Sequence, residues 1–199
     1  NYLHYLCYTY SLSCLKASMV ITLAKLSPIF QITLAVSLLQ ERIRRKTYLI
    51  FLLGFLGAGV VVADGQLVIT PNKAYLTAIL AGFFWALFIV IAKKSQMDFF
   101  AAVGWALLAG AVFMGLHLSL NKSLIYPYGT QWPWLIFLGV VPTALGVVMW
   151  VKAIDKSHGV AKIANLEYLT PAIGIILAWV FLKEKISIYL IIGLSIILI

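Results

Sequence analysis

Lys25 and Glu167 are ionisable residues set deep inside apolar runs, and each stands a few positions ahead of a proline, Pro28 and Pro171. Proline has no amide hydrogen and its ring clashes with the carbonyl four residues back, so Pro28 frees the carbonyl of Ala24 and Pro171 that of Glu167. A freed carbonyl beside a charge in apolar surroundings is the raw material of a polar binding site. Lys25 suits an anionic group such as a carboxylate, and Glu167 suits an amine or a coupling proton. The same two residues would also serve as a structural ion pair, or Lys25 could snorkel outward along its stem. Snorkelling is hard from its position, about 12 Å into its helix at 1.5 Å per residue.

The elements that must hold these groups follow from composition. Hydrophobic residues make up 63% of the 199 residues and charged ones 11%, with a mean hydropathy of +1.04, far from an ordinary soluble domain. Runs of roughly 20 apolar residues, the length that crosses a bilayer, fall near 1–15, 17–39, 45–64, 74–93, 98–118, 132–153, 160–182 and 186–199. An all-α polytopic membrane protein with eight helices is expected. A charge at mid-depth in such a bundle costs at least about 2.5 to 3.5 kcal/mol on insertion scales, so Lys25 and Glu167 should face the interior. A backbone break is likewise tolerated only against protein or a wet cavity. Pro28, Pro171 and Pro142, each in mid-span, are therefore expected to line the path, with packing as their alternative role.

The net charge of +9 sits mostly in the gaps between runs, which assigns it to membrane orientation and not to nucleic acid. Arg42, Arg44, Arg45, Lys46, Lys93, Lys94, Lys152 and Lys156 fall on one side, and Lys16, Lys73, Lys122, Lys183 and Lys185 on the other. The 40–46 gap is thus expected in the cytoplasm. Cys7 and Cys14 show neither redox nor metal spacing. Trp132 and Trp134 at one end of their span, with Trp150 at the other, lie about 24 Å apart, as interfacial belts do.

The chain repeats itself. Shifted by 143 positions, residues 23–43, LAKLSPIFQITLAVSLLQERI, fall on 166–186, LEYLTPAIGIILAWVFLKEKI, with Pro28 on Pro171, Glu41 on Glu184 and Arg42 on Lys185. The chain holds three glutamates and six prolines, so these matches outweigh the apolar ones. Five helix steps, an odd number, separate the copies, which places the two motif helices in opposite directions across the membrane. An inverted repeat is expected, an architecture of many secondary transporters. Its copies are 1–64, partial with three helices, and 74–199 with five, joined by a linker over 65–73. Two helices are missing from the first copy, and the chain opens on Asn1, so a fragment is expected.

The twice-used pattern of Ser or Thr then Pro, an apolar stretch, then Glu and a basic residue, in SPIFQITLAVSLLQER and TPAIGIILAWVFLKEK, resembles the EamA-like members of the drug/metabolite transporter superfamily. FFWALFIVIAKK and LGVVPTALGVVMWVKAI add to the likeness. The resemblance implies ten helices in two inverted five-helix repeats, cytoplasmic termini, and a central cavity open to one side at a time. It implies a secondary active carrier of small polar metabolites in the bacterial inner membrane, an exporter of amino acids or related compounds, with protons as one choice of coupling ion. A nucleotide-sugar, sugar-phosphate or lipid-linked substrate is the alternative, for which Lys162 is the candidate second cation.

Asn165, Tyr168 and Thr170 share the second broken helix and Gln31 lies almost one turn beyond Pro28; these could contact substrate or pack between helices. His4, His117 and His158 are isolated, and Trp85 and Trp105 read as core. Glu41 and Glu184 are expected to pair with the basic residues beside them. Gly54, Gly57 and Ala58, and Ala102, Ala106 and Gly110, form small faces for close helix contact, homodimerisation being one use. Neither a metal nor a cofactor is expected. No HExxH and no GxSxG with a paired His occurs, and Asp64, Asp98 and Asp155 fall at helix ends, so an enzyme is not expected.

Overall fold

A computed structural model describes residues 2–41, 46–63, 72–95, 98–122, 127–157 and 169–197. The Arg42–Arg45 cluster, Asp64, most of the 65–73 linker, Lys162, Asn165, Glu167 and Tyr168 lie outside the described residues. Among those described there is no strand. The helices are α1 (Tyr2–Cys14), α2 (Ala17–Ala24), α3 (Ser27–Leu39), α4 (Lys46–Ala63), α5 (Lys73–Lys94), α6 (Phe99–Leu120), α7 (Trp132–Leu138), α8 (Gly146–Ser157), α9 (Leu169–Leu182) and α10 (Ile188–Ile197). Among the described residues, four stretches are long and apolar enough to cross a bilayer: Ala17–Leu39, Lys73–Lys94, Phe100–Leu120 and Gly129–Ile154.

Helix α5 is the organising element. Asn72 caps it, its Oδ1 accepting from the Ala74 amide at 2.9 Å, and Lys93 and Lys94 close its last turn where the helix dipole favours cations. Helices α1, α2 and α3 all pack on it. Small residues, Ala74, Ala78, Ala81, Gly82 and Ala86, are buried along it and let the neighbours approach. The buried Ser11 hydroxyl of α1 lies 3.1 Å from the Ala74 carbonyl oxygen and 2.8 Å from the Thr77 hydroxyl, a polar latch in an apolar seam. Two apolar clusters complete the interior. One gathers Leu23, Leu26 and Ile29 with Val61 of α4, Ile175 of α9 and Leu190 of α10. The other joins Ala35, Ile89 and Val90 to Val103, Val147 and Val151.

The expected small face on α4 is used within the chain: a Cβ added to Gly193 of α10 would stand 2.6 Å from the Gly57 carbonyl oxygen, so α4 and α10 touch backbone to backbone. Pro142 sits inside a π-helical stretch, Gly139–Leu145, between α7 and α8. The wider π turn absorbs the lost amide, and the Thr143 hydroxyl donates to the Leu138 carbonyl at 2.8 Å. Pro142 itself is exposed.

The two motif copies end alike. Gln40 and Lys183, equivalent residues, are left-handed at φ 56° and 53°. Behind them the Glu41 amide donates to the Ala35 carbonyl at 3.2 Å and the Glu184 amide to the Ala178 carbonyl at 3.3 Å, the same six-residue closure. Side chains are strained in that region and glycine is not. Replacing either exposed residue, Gln40→Gly or Lys183→Gly, is expected to stabilise by about 0.5 to 1 kcal/mol. A rise in Tm of the detergent-solubilised protein checks it, and an unchanged or lower Tm would refute it.

Candidate functional site

The span over 17–39 is not one kinked helix. Helix α2 stops at Ala24, Lys25 (φ −81°, ψ 17°) and Leu26 (φ −73°, ψ −6°) form a turn, and α3 restarts at Ser27 with Pro28 in its first turn. Tight bonds hold the turn, from the Lys25 amide to the Ile21 carbonyl at 3.1 Å and from the Leu26 amide to the Leu23 carbonyl at 3.1 Å. The Ala24 carbonyl is the one freed by Pro28, and it meets Gly82 of α5 so closely that a Cβ there would overlap its oxygen. Only a glycine lets α5 lie this near the break.

Beside the turn is a cavity of about 330 Å³, walled by α1, α2, α5 and α9. Lys25 lines it from the turn and is the one lysine among the described lining residues. Ser27 and Thr170, equivalent positions of the two motif copies, both line it and offer hydroxyls. The N-terminal end of α3 adds partial positive charge at the same turn, while α2 brings the opposing end of its dipole. Lys25 adds the amine of a lysine at the same place.

Helix α1 and Trp85 supply the rest. His4 and Tyr8, four residues apart and so on one helix face, stack with ring centroids 5.8 Å apart, and His4 packs on Trp85 at 5.6 Å. The His4 Nδ1 lies 2.9 Å from the Ala81 carbonyl oxygen, which only accepts, so Nδ1 carries the proton. The arrangement can hold a small anion at one end and an apolar or flat group against three rings.

Of the residues read from the sequence, Lys25 lines this cavity, and so does Thr170. Pro28 is buried at the start of α3, and Gln31 is buried one turn on, with no exposure; neither is among the lining residues. Pro171 falls in the first turn of α9, and Pro142 is on the outer surface, away from the cavity. Asn165, Glu167 and Tyr168 lie outside the described residues. Sequence reasoning missed His4, Tyr8 and Trp85. The four-residue spacing of His4 and Tyr8 was the available signal, but nothing in it says which helix that face meets.

Glu184 also behaves differently from expectation. Its carboxylate accepts from the amides of Ala17 at 2.9 Å and Ser18 at 3.2 Å, capping α2 from the far motif copy. A carboxylate at a helix N-terminus satisfies orphan amides and the dipole together, which a flexible surface pair with Lys183 or Lys185 would not match. Glu184→Ala is expected to destabilise by about 1 kcal/mol, Glu184→Gln by less. Thermal unfolding checks this; equal Tm values for wild type and Glu184→Ala would refute the cap.

Comparison with known proteins agrees with this architecture. The family model "EamA-like transporter family" matches residues 1–63 and 72–199. A probable terminal-alkyne amino-acid exporter of Streptantibioticus cattleyicolor is 26% identical over 84% of this chain and 56% of its own length. An uncharacterised transporter of Bacillus subtilis is 29% identical over 73% of this chain and 49% of its own, and one of Archaeoglobus fulgidus 26% identical over 100% and 70%. The chain thus spans about half the length of the first two relatives. A crystal structure 23% identical superposes with a TM-score of 0.72 over 98% of this chain and 70% of that one, which speaks for the fold. With its apolar spans and a family match over nearly its whole length, the chain is a multi-pass membrane protein and belongs to the EamA-like transporter family.

Proposed function

We propose that the full-length protein is a secondary carrier that exports small polar carboxylates, amino acids foremost, by alternating access. One observation carries the reading: Lys25 stands in a helix break and lines a cavity of about 330 Å³ at the meeting of the two motif helices. In many membrane carriers the N-terminal ends of broken helices face the anionic groups of the substrate. The relative named as an amino-acid exporter fits this substrate class. The duplicated closures at Gln40 and Lys183 favour two repeats, 1–64 and 74–199, and alternating access would move them against one another. Glu184, which clamps α2 from the second copy, would be part of that moving contact. Proton coupling and a bacterial plasma-membrane location with the 40–46 loop cytoplasmic belong to the same reading.

A phosphate-bearing substrate such as a nucleotide-sugar would call for a second cation beside Lys25. The candidate, Lys162, lies outside the described residues.

The test is export from cells carrying the full-length reading frame or an empty vector, with internal and external metabolites compared by mass spectrometry. The expected result is external accumulation of one class of amino or carboxylic acid. Unchanged soluble acids, with changed lipid-linked or nucleotide-linked ones, would overturn the proposal.

A further inference from the structure

The Lys25 cavity has an apolar neighbour. A second space, an open crevice of about 410 Å³, lies between α1, α5 and α6, with Phe84, Phe88 and Ile91 on one wall and Ala102, Ala106 and Trp105 on the other; Ile91 and Trp105 are more than half exposed along it. His4 borders both cavities. Its ring is held by the Ala81 carbonyl and by stacking on Tyr8, so it stands as a fixed post between them. Helix α5 divides its residues accordingly: Trp85 lines the Lys25 cavity, while Phe84 and Phe88 line the apolar one. The first space offers an ammonium and hydroxyls; the second offers almost only hydrocarbon.

Water gains few partners in such a crevice, whereas each methylene moved into it from water multiplies affinity about fourfold. Two adjoining spaces of opposite character, sharing one wall residue, match a ligand of opposite ends. We propose that the crevice is the tail subsite of the transported acid: the carboxylate binds at Lys25 and an unbranched apolar chain passes His4 to lie between α5 and α6. The preferred substrates are then amphipathic amino or carboxylic acids, and selectivity rises with chain length. The inference rests on the reading of Lys25 as the carboxylate site.

Counterflow of straight-chain 2-amino acids of four to eight carbons, in liposomes holding the full-length protein, tests it. KM should fall at least about tenfold along the series in wild type. Ala106→Phe, which fills the crevice, should lower the eight-carbon to four-carbon selectivity ratio about tenfold. Transport of all members with equal KM would overturn the tail subsite and leave the carrier reading intact; transport of none would overturn both.

A binding measurement guards against a variant that fails to fold, and it separates a substrate tail from a lipid chain. The acid 2-amino-8-bromooctanoate should quench tryptophan fluorescence of the purified full-length protein, and Trp105→Phe should reduce that quenching. Quenching at Trp105 by brominated-chain phospholipid and not by the acid would assign the crevice to lipid and overturn the proposal.

Discussion

Lys25→Met is expected to lower kcat/KM for efflux of the carboxylate substrate about a hundredfold while the protein reaches the membrane at wild-type level. The side chain is nearly isosteric and apolar, so cavity volume is kept and the charge alone is removed. Truncating one member of a desolvated charge pair typically costs about 2 to 5 kcal/mol, and a hundredfold is about 2.7 kcal/mol. Lys25→Arg keeps the charge but places it differently in a cavity of about 330 Å³, and partial activity is expected. The structural alternative predicts a loss of stability with no effect on substrate binding. If Lys25 served only as a buried partner of another charge, Lys25→Met would leave that charge stranded and cost about 3 to 5 kcal/mol of stability. The readout that separates the two is the Tm rise that substrate binding brings to wild type: the account expects Lys25→Met to lose it, whatever the variant's Tm without substrate.

Gly82→Ala is expected to impair efflux as well, although Gly82 is not among the residues lining the cavity. A Cβ at this position overlaps the Ala24 carbonyl oxygen and comes within 3.3 Å of the Ser27 amide nitrogen. Both are backbone atoms of the helix break, which cannot turn aside as a flexible side chain would. Helix α5 must move off the turn, at a cost of about 1 to 3 kcal/mol as for overpacked cores, and Lys25 moves with the turn. A drop in Tm together with at least about a tenfold loss of kcat/KM is expected, since an ångström of misplacement is enough for that. Gly104→Ala and Gly115→Ala are the controls, because a Cβ at either meets nothing within 4 Å. Equal activity of Gly82→Ala and these two would show that the close approach of α5 does not set the site.

The distance between sequence and structure varies along the chain for physical reasons. Apolar runs fix membrane spans because hydrocarbon demands internally satisfied backbone, so the spans over 74–93 and 98–118 recur as α5 and α6 with ends shifted by a residue or two. The break in the first motif was legible from Pro28, down to the carbonyl it frees. Its form was not: a proline permits either a kink or a full stop, and the contact with Gly82 sits 58 residues away from Ala24 in the chain. Pro142 illustrates the other outcome, where a π turn takes up the same defect within a continuous rod. Glu184 read as a partner of its basic neighbours because sequence proximity is all a single chain offers; its amide partners are 167 and 166 residues distant. His4, Tyr8 and Trp85 were passed over for the same reason, since rings at helical spacing are common and only packing brings them to Lys25.

The central claim is that Lys25 receives the carboxylate of a transported acid. The most direct measurement is counterflow in liposomes holding the purified full-length protein, loaded inside with an excess of unlabelled amino acid and supplied outside with a trace of the labelled form. The account predicts transient uptake of label above equilibrium with wild type, little with Lys25→Arg and none with Lys25→Met, at equal protein incorporation. Counterflow by Lys25→Met equal to that of wild type would contradict it.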